Sequence, residues 1–378
     1  MYNTSTGGDS VAVGHKAMFS NTTGNVSVAV GDAALYSNTD GWGNIAIGYL
    51  ALHDNTSGDS NVSIGYKALN ANTTADTNVA IGYEALKVNT TGTDLTAVGY
   101  KALNANTTAN DNSAFGDNAL KANTTGGSNN AFGAAALMSN TTGAQNAAFG
   151  TGALFSNTTG NYNTAFGHAA LETNTADNNT AVGQGALYAN TTGANNTAVG
   201  DRALDANTTA ENNTAVGFKA LTANTTGAQN TAVGKLALAE STTAANNTGI
   251  GWESLYSGTT ANHNTAVGTY SGRNITTGAH NIFVGHQSGA YSTSLNTGNY
   301  NTHIGNYTIT SSTSVDYETI LGYNVTGQGS QTVSFRGTPY NTSNADWGSY
   351  SDIRIKKNVT DNKKGLDAIN QIRVRNFE

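Results

Sequence analysis

The 378-residue chain has only 11% charged residues, 45 glycines, a single proline and no cysteine. Globular enzymes carry about 25% charged residues, and disordered chains lack regularly spaced apolar residues, whereas here 37% of positions are hydrophobic and recur at fixed intervals. The net charge of −7 hides a split: residues 351–378 hold seven Lys/Arg against four Asp/Glu, leaving ten against twenty in the first 350. A weakly acidic body without a basic stripe excludes nucleic acid as a partner. No apolar run approaches the roughly 20 residues of a membrane span, so membrane insertion is not expected.

Along the chain a motif of the type Asn-Thr-Ala-Val-Gly recurs, its glycine at residues 14, 31, 48 and every 17th position to 167, then from 183 every 17th to 285, then at 305 and 322. These nineteen marks contain only two changes of step, one of 16 and one of 20. Before each glycine stands a large apolar residue such as Val13, Ile47, Phe115 or Phe166, and two positions earlier a β-branched one such as Val28, Ile45 or Thr197. Ala12, Ala80, Ala148 and Ala215 lie between them. Such period-2 alternation predicts a strand, one face Val/Thr/Ile/Phe and the other Asn, Ala and Gly. A second apolar residue follows four after the glycine (Leu35, Leu69, Leu137), then an Asn-Thr-Thr turn. Glycine and β-branched residues in every unit exclude helices.

The repeat therefore predicts an all-β fold: a parallel β-solenoid, or β-roll, of about nineteen 17-residue coils, each with two short strands and two corners. Stacking at about 4.8 Å gives a rod of roughly 90 Å. Phe115, Phe132, Phe149 and Phe166 are expected to form an internal aromatic stack, and Asn61, Asn78, Asn112, Asn129 and Asn146 an amide ladder. Two large apolar residues per coil make a thin core. The small Ala/Gly face is accordingly expected to pack against further copies of the chain, as a homotrimer.

Other motifs are weaker. Asn72-Thr73-Thr74, Asn123-Thr124-Thr125 and Asn224-Thr225-Thr226 are formal N-glycosylation sequons, read here as turn chemistry copied by the repeat. His263 and His280 share a coil position and are expected to stack, and His303 sits inside a strand motif. Neither a metal nor any other cofactor is expected. The glycine column lacks the Lys-Ser/Thr of a phosphate loop. Thr ladders admit an ice-binding solenoid.

Asn44-Ile45-Ala46-Ile47-Gly48 and Asn78-Val79-Ala80-Ile81-Gly82 resemble the head repeat of YadA-like trimeric autotransporter adhesins. That resemblance, spanning about residues 10–322, implies a left-handed roll and a homotrimer, although its usual repeat is shorter than 17 residues. At the end, Ser351-Asp352-Ile353-Arg354-Ile355-Lys356-Lys357-Asn358-Val359, followed by Gly365-Leu366-Asp367-Ala368-Ile369 and Phe377, resembles the start of the endosialidase-type intramolecular chaperone. This self-cleaving peptidase domain caps phage tail fibres and promotes their trimerisation. The match makes Ser351 the nucleophile and Lys356 its general base. Val374 stands where that family usually has proline, and the match ends at Glu378, early in the domain, so cleavage is not expected of this stretch alone.

The expected organisation is a shaft (1–322), a neck (323–350) and an N-terminal chaperone fragment (351–378). The expected function is structural: an extracellular phage tail-fibre shaft for host attachment, whose partners are itself and a host cell-surface receptor such as a glycan. Receptor contact is expected on the variable residues after each glycine: Tyr49, Tyr66, Tyr83, Tyr100, Asp117, His168, Asp201 and Phe218. A trimeric bacterial surface adhesin is the first alternative and the ice-binding solenoid the second. No enzymatic activity is expected of the shaft.

Overall fold

In a computed structural model the described residues are 8–290 and 294–335. They form one parallel sheet of twenty three-residue strands, from β1 (Val11–Val13) to β20 (Val333–Phe335), each paired in sequence order with the next. There is no helix among the described residues. The register follows the repeat, Val11 opposite Val28, Thr197 opposite Thr214, and Thr164 opposite Thr180 across the 16-residue step. The ladder continues one strand past Gly322. The all-β parallel solenoid expected from the repeat is the observed fold.

Each coil has one strand, not the two expected; its other sides are turns. Those turns are nevertheless bonded coil to coil. Leu35 N donates to Ala51 O at 3.0 Å, Thr39 N to Thr56 O at 2.8 Å, and Gly48 N to Val30 O at 2.8 Å. Identical backbone geometry in successive coils satisfies the turn amides much as a sheet would.

The orientation of the strands also differs from expectation. The central Ala points inward and is fully buried in Ala29, Ala46, Ala114 and Ala215, while the flanking Val, Ile, Thr and Phe point outward. The interior of a 17-residue coil is narrow. It admits the strand Ala, the Ala-Leu pair three and four residues past the glycine, and two Asn side chains. The Ala/Gly face is thus the chain's own core and cannot receive another copy. The leucines adopt left-handed backbone, with φ of 51° at Leu35 and 50° at Leu52. That conformation costs about 1–2 kcal/mol per residue, and full burial of a leucine contributes about 1.5–3 kcal/mol in compensation.

Two buried amide ladders replace the missing apolar volume. In the first, Asn38 Nδ2 donates to Asn21 Oδ1 in the preceding coil and to Gly41 O in its own, both at 2.9 Å. In the second, Asn61 N donates to Asn44 Oδ1 at 2.9 Å, and Asn44 Nδ2 donates to Gly58 O at 2.7 Å. The second is the ladder expected at Asn61, Asn78, Asn112, Asn129 and Asn146, interrupted by Leu95. The first is the corner Asn itself. Asn72, Asn123 and Asn224 belong to it and are fully buried, their Nδ2 atoms donating to the ladder. Glycans attach at that nitrogen, so the folded coil offers none of the three sequons for modification. The shortened coil breaks one rung: Asn174 Nδ2 turns to Ala176 O, and Asn157 Oδ1 has no partner.

Asn140→Ala is expected to cost about 2 kcal/mol. It removes bonds to Asn123 Oδ1, to Gly143 O and from Asn157 Nδ2, each worth about 0.5–1.5 kcal/mol net. Urea unfolding followed by circular dichroism measures this. A midpoint unchanged from the native chain would show that the ladder does not stabilise the fold.

Toward the C-terminal end the core changes composition. At the inward strand position Ala266 is followed by Phe283 in β17 (Ile282–Val284), His303 in β18 (Thr302–Ile304) and Ile320 in β19 (Thr319–Leu321). Room for the phenyl ring comes from the usual Leu position, occupied here by Gly272 and Gly289. A Cβ on Gly272 would lie 2.7 Å from Phe283 Cδ2, and one on Gly289 would also strike that ring. An Ala–Leu pair has been exchanged for Phe–Gly at nearly constant volume.

Candidate interaction surfaces

Outward strand residues form two columns along the sheet. The column just before the glycines reads Val/Ile from Val13 to Val98, Phe from Phe115 to Phe166, and mostly Val from Val182 to Val284. Phe115, Phe132, Phe149 and Phe166 stack as expected, with ring centroids 4.7, 4.8 and 4.3 Å apart, but they do so on the outside. Val13 is 55% exposed, Phe166 43% and Val182 38%. A scattered apolar residue on a surface is ordinary; a continuous apolar column along the whole sheet is not, and it makes this face a candidate interaction surface. The second column runs from Val and Ile (Val28, Ile45) to an unbroken series of threonines, Thr164 through Thr265.

A corner past the glycines stands a Tyr ladder. Tyr49, Tyr66, Tyr83 and Tyr100 are exposed and stack at 5.5, 5.0 and 5.3 Å. Lys67 and Lys101 lie over Tyr66 and Tyr100 at 5.4 and 5.1 Å. Glu84 sits between them, 2.8 Å from Lys87 and 3.8 Å from Lys101. Its hydrogen bond to Lys87 holds the carboxyl below the ordinary range, against the opposing effect of burial. Stacked rings cover one another's faces and present their edges and hydroxyls outward. Asp117, His168 and Phe218 in the same column are exposed, and Asp201 is half-buried.

His263 and His280 stack as expected, centroids 4.7 Å apart, and the stack continues through Tyr300 and Tyr317. No cluster of three metal-ligating side chains occurs among the described residues. His303 occupies the core and is fully buried. Both ring nitrogens lack hydrogen-bond partners, and Nε2 lies 3.8 Å from Glu318 Oε2, itself fully buried. Glu318 takes the place of the next Asn in the second ladder. Its carboxylate accepts from Gly329 N at 3.0 Å, Thr310 Oγ1 at 3.1 Å and Ser311 N at 3.2 Å, closing the ends of the last coils. Sequence reasoning placed His303 in a strand but did not find this pair; a carboxylate replacing Asn one coil beyond a core His was the available signal.

Ser351 and Lys356 lie outside the described residues. No known family model matches the chain, and no curated protein matches it.

Proposed function

We propose that the chain is the shaft of a homotrimeric extracellular fibre, of the phage tail-fibre kind, that holds a host-binding surface away from its particle. The observation that carries this reading is the outward strand face. Its Val/Ile/Phe column runs the length of the sheet in a chain whose own interior is filled by Ala, Leu and Asn. Burial of such a column against copies of itself removes apolar area from water in every coil, at about 25 cal/mol per Å². A parallel trimer in register sets Phe against Phe and Val against Val. On this reading the interface is the Val/Ile/Phe face, opposite to the Ala/Gly face that the sequence suggested.

The Ser351/Lys356 resemblance supports the same reading. In it the Ser351 hydroxyl, its proton taken by the Lys356 amine, attacks a peptide carbonyl; the C–N bond breaks as that proton passes to the leaving amine, and water hydrolyses the resulting ester, which releases the chaperone after the shaft has assembled. Host attachment would use the exposed residues past the glycines.

Mass measurement in native solution tests the assembly. The expected result is three chains. The doubly charged variant Phe132→Asp/Phe149→Asp is expected to shift the mass toward one chain, because each carboxylate would be desolvated at the contact. A native chain that sediments as a monomer would refute the fibre.

A second reading rests on the Thr column. Seven outward threonines, Thr164 to Thr265, are stacked in consecutive strands beside valines. A flat Thr array of this kind suits an ice-binding solenoid. The two readings compete for one face, since a trimer would cover it, so thermal hysteresis from a monomer would decide for ice.

A further inference from the structure

Between the coils that follow Gly167, Gly183 and Gly200 the surface opens into a cleft of about 340 Å³. Its floor is Ala169 and Gly185. Around them stand His168, Glu172, Gln184, Tyr188, Arg202 and Asp205. The floor residues belong to the position two past the glycine, which in other coils carries long side chains such as Lys67, Lys101 and Lys219. That long side chain is missing in four successive coils, at Ala135, Gly152, Ala169 and Gly185, and the cleft lies at the last two, where Arg202 ends the run.

The polar groups around the cleft are uncommitted. None of the six side chains named on its walls makes a hydrogen bond or ion pair within the described residues, in a chain whose buried amides are nearly all bonded. Glu172 and Asp205 are acceptors, Arg202 and Gln184 supply donors, and Tyr188 and His168 add planar rings. From this convergence we infer that the cleft is a binding site for a short neutral hexose oligosaccharide. Hydroxyls need both acceptors and donors at close spacing, and an apolar sugar face needs a ring to lie against; the cleft walls hold all three. A single arginine facing two carboxylates disfavours an anionic sugar. Partial burial raises the Asp205 carboxyl above its ordinary range, with the nearby Arg202 charge opposing, as befits a carboxylate that still lacks a hydrogen-bonding partner. The Tyr49–Tyr100 ladder, whose rings already cover one another, does not offer such uncovered faces. This inference deepens the host-attachment part of the proposed function and does not depend on the oligomeric state.

Titration calorimetry with lactose, maltotriose, cellobiose and 3′-sialyllactose tests it. At least one neutral probe is expected to saturate at millimolar concentration or below, and sialyllactose to bind more weakly than lactose. Asp205→Asn is expected to weaken the neutral probe about tenfold, the effect of one charge-assisted hydrogen bond. Gly185→Lys is expected to abolish binding without harm to the fold, because Lys67 and Lys219 already hold this coil position at φ of 51° and 54°, close to the 59° of Gly185. Failure of all three neutral probes to saturate overturns the inference, as does binding that survives Gly185→Lys or that favours sialyllactose. Native mass on the same samples separates the two ideas. A monomer that binds sugar through Gly185 keeps this inference and removes the trimer; a trimer that binds none does the reverse.

Discussion

Gly133→Ala is expected to destabilise the solenoid by at least ~4 kcal/mol, enough to disrupt the coils on either side. Gly133 has a φ of 136°, a region essentially closed to residues with a Cβ, where strain costs about 1–3 kcal/mol. A Cβ there would also lie 2.6 Å from both the carbonyl carbon and oxygen of Gly150, and 3.0 Å from Thr151 N. These are backbone atoms of the next coil, and they can give way only if the stacking distance of about 4.8 Å opens locally. Opening it would lengthen the strand pairing and both amide ladders at once.

Gly152→Ala is the matched control. Gly152 has a φ of 68°, and nothing lies within 4 Å of its would-be Cβ. Ala135 and Ala169 occupy the same coil position in neighbouring coils at φ of 57° and 54°. The left-handed cost of about 1 kcal/mol is offset by the lower entropy of the unfolded chain, so little net change is expected. Denaturant unfolding, with hydrogen exchange to localise the damage, compares the two. Equal stabilities would show that the glycine column is a habit of the repeat and not a steric requirement. Because each coil touches chiefly its neighbours, the loss is expected to begin near coil 133 and spread.

Coil number and register were legible from the sequence, because identical side chains recur with the coil. The glycine spacing places every strand opposite its neighbour, and the Asn61–Asn146 ladder and the Phe115–Phe166 stack follow directly. Which strand face is inside was not legible from alternation, since alternation is symmetric between faces. The usual rule that large apolar residues go inside fails here because the coil is too narrow for them. A better signal lay in variability. From Ala12 to Ala266 the inward position accepts only Ala, Ser63 or Gly249, whereas the outward one accepts Val, Ile, Thr, Ser113, Asn130 and Ala147. A position that tolerates only small residues is confined; one that tolerates everything is open. By the same reasoning Phe283 should have been read together with Gly272 and Gly289 as one exchange of volume, although drift in a terminal repeat accounts for each residue separately. The cleft near Gly185 escaped sequence reading because its six polar residues come from three coils and are ordinary one by one.

Acidification is expected to loosen the C-terminal coils through His303. Burial lowers its pKa from 6.5 to about 4, an effect only partly opposed by the Glu318 carboxylate. Phe283 packs edge-on to the imidazole at 5.5 Å, and Ile320 is its strand neighbour on the other side, so Glu318 is the one titratable group close to it among the described residues. The unfolded chain binds this proton more tightly than the folded one. The contribution of neutral His303 is therefore complete above pH 6.5, falls as the pH drops toward 4, and is flat below. At 1.36 kcal/mol per unit the loss approaches about 3 kcal/mol. An imidazolium formed there would also draw Glu318 Oε2 toward itself and away from Thr310 and Ser311, which loosens the closure of the last coils. Hydrogen exchange of residues 302–335 at pH 7 and pH 4 reads the effect locally, where a global melt would average it over the array. In His303→Ile, which repeats the side chain of Ile320, the His303-dependent part of the acid sensitivity should vanish, while stability at pH 7 holds or rises because two unpaired buried nitrogens are gone. Equal acid sensitivity in the native chain and the variant would assign the effect to other groups and leave His303 a packing residue only.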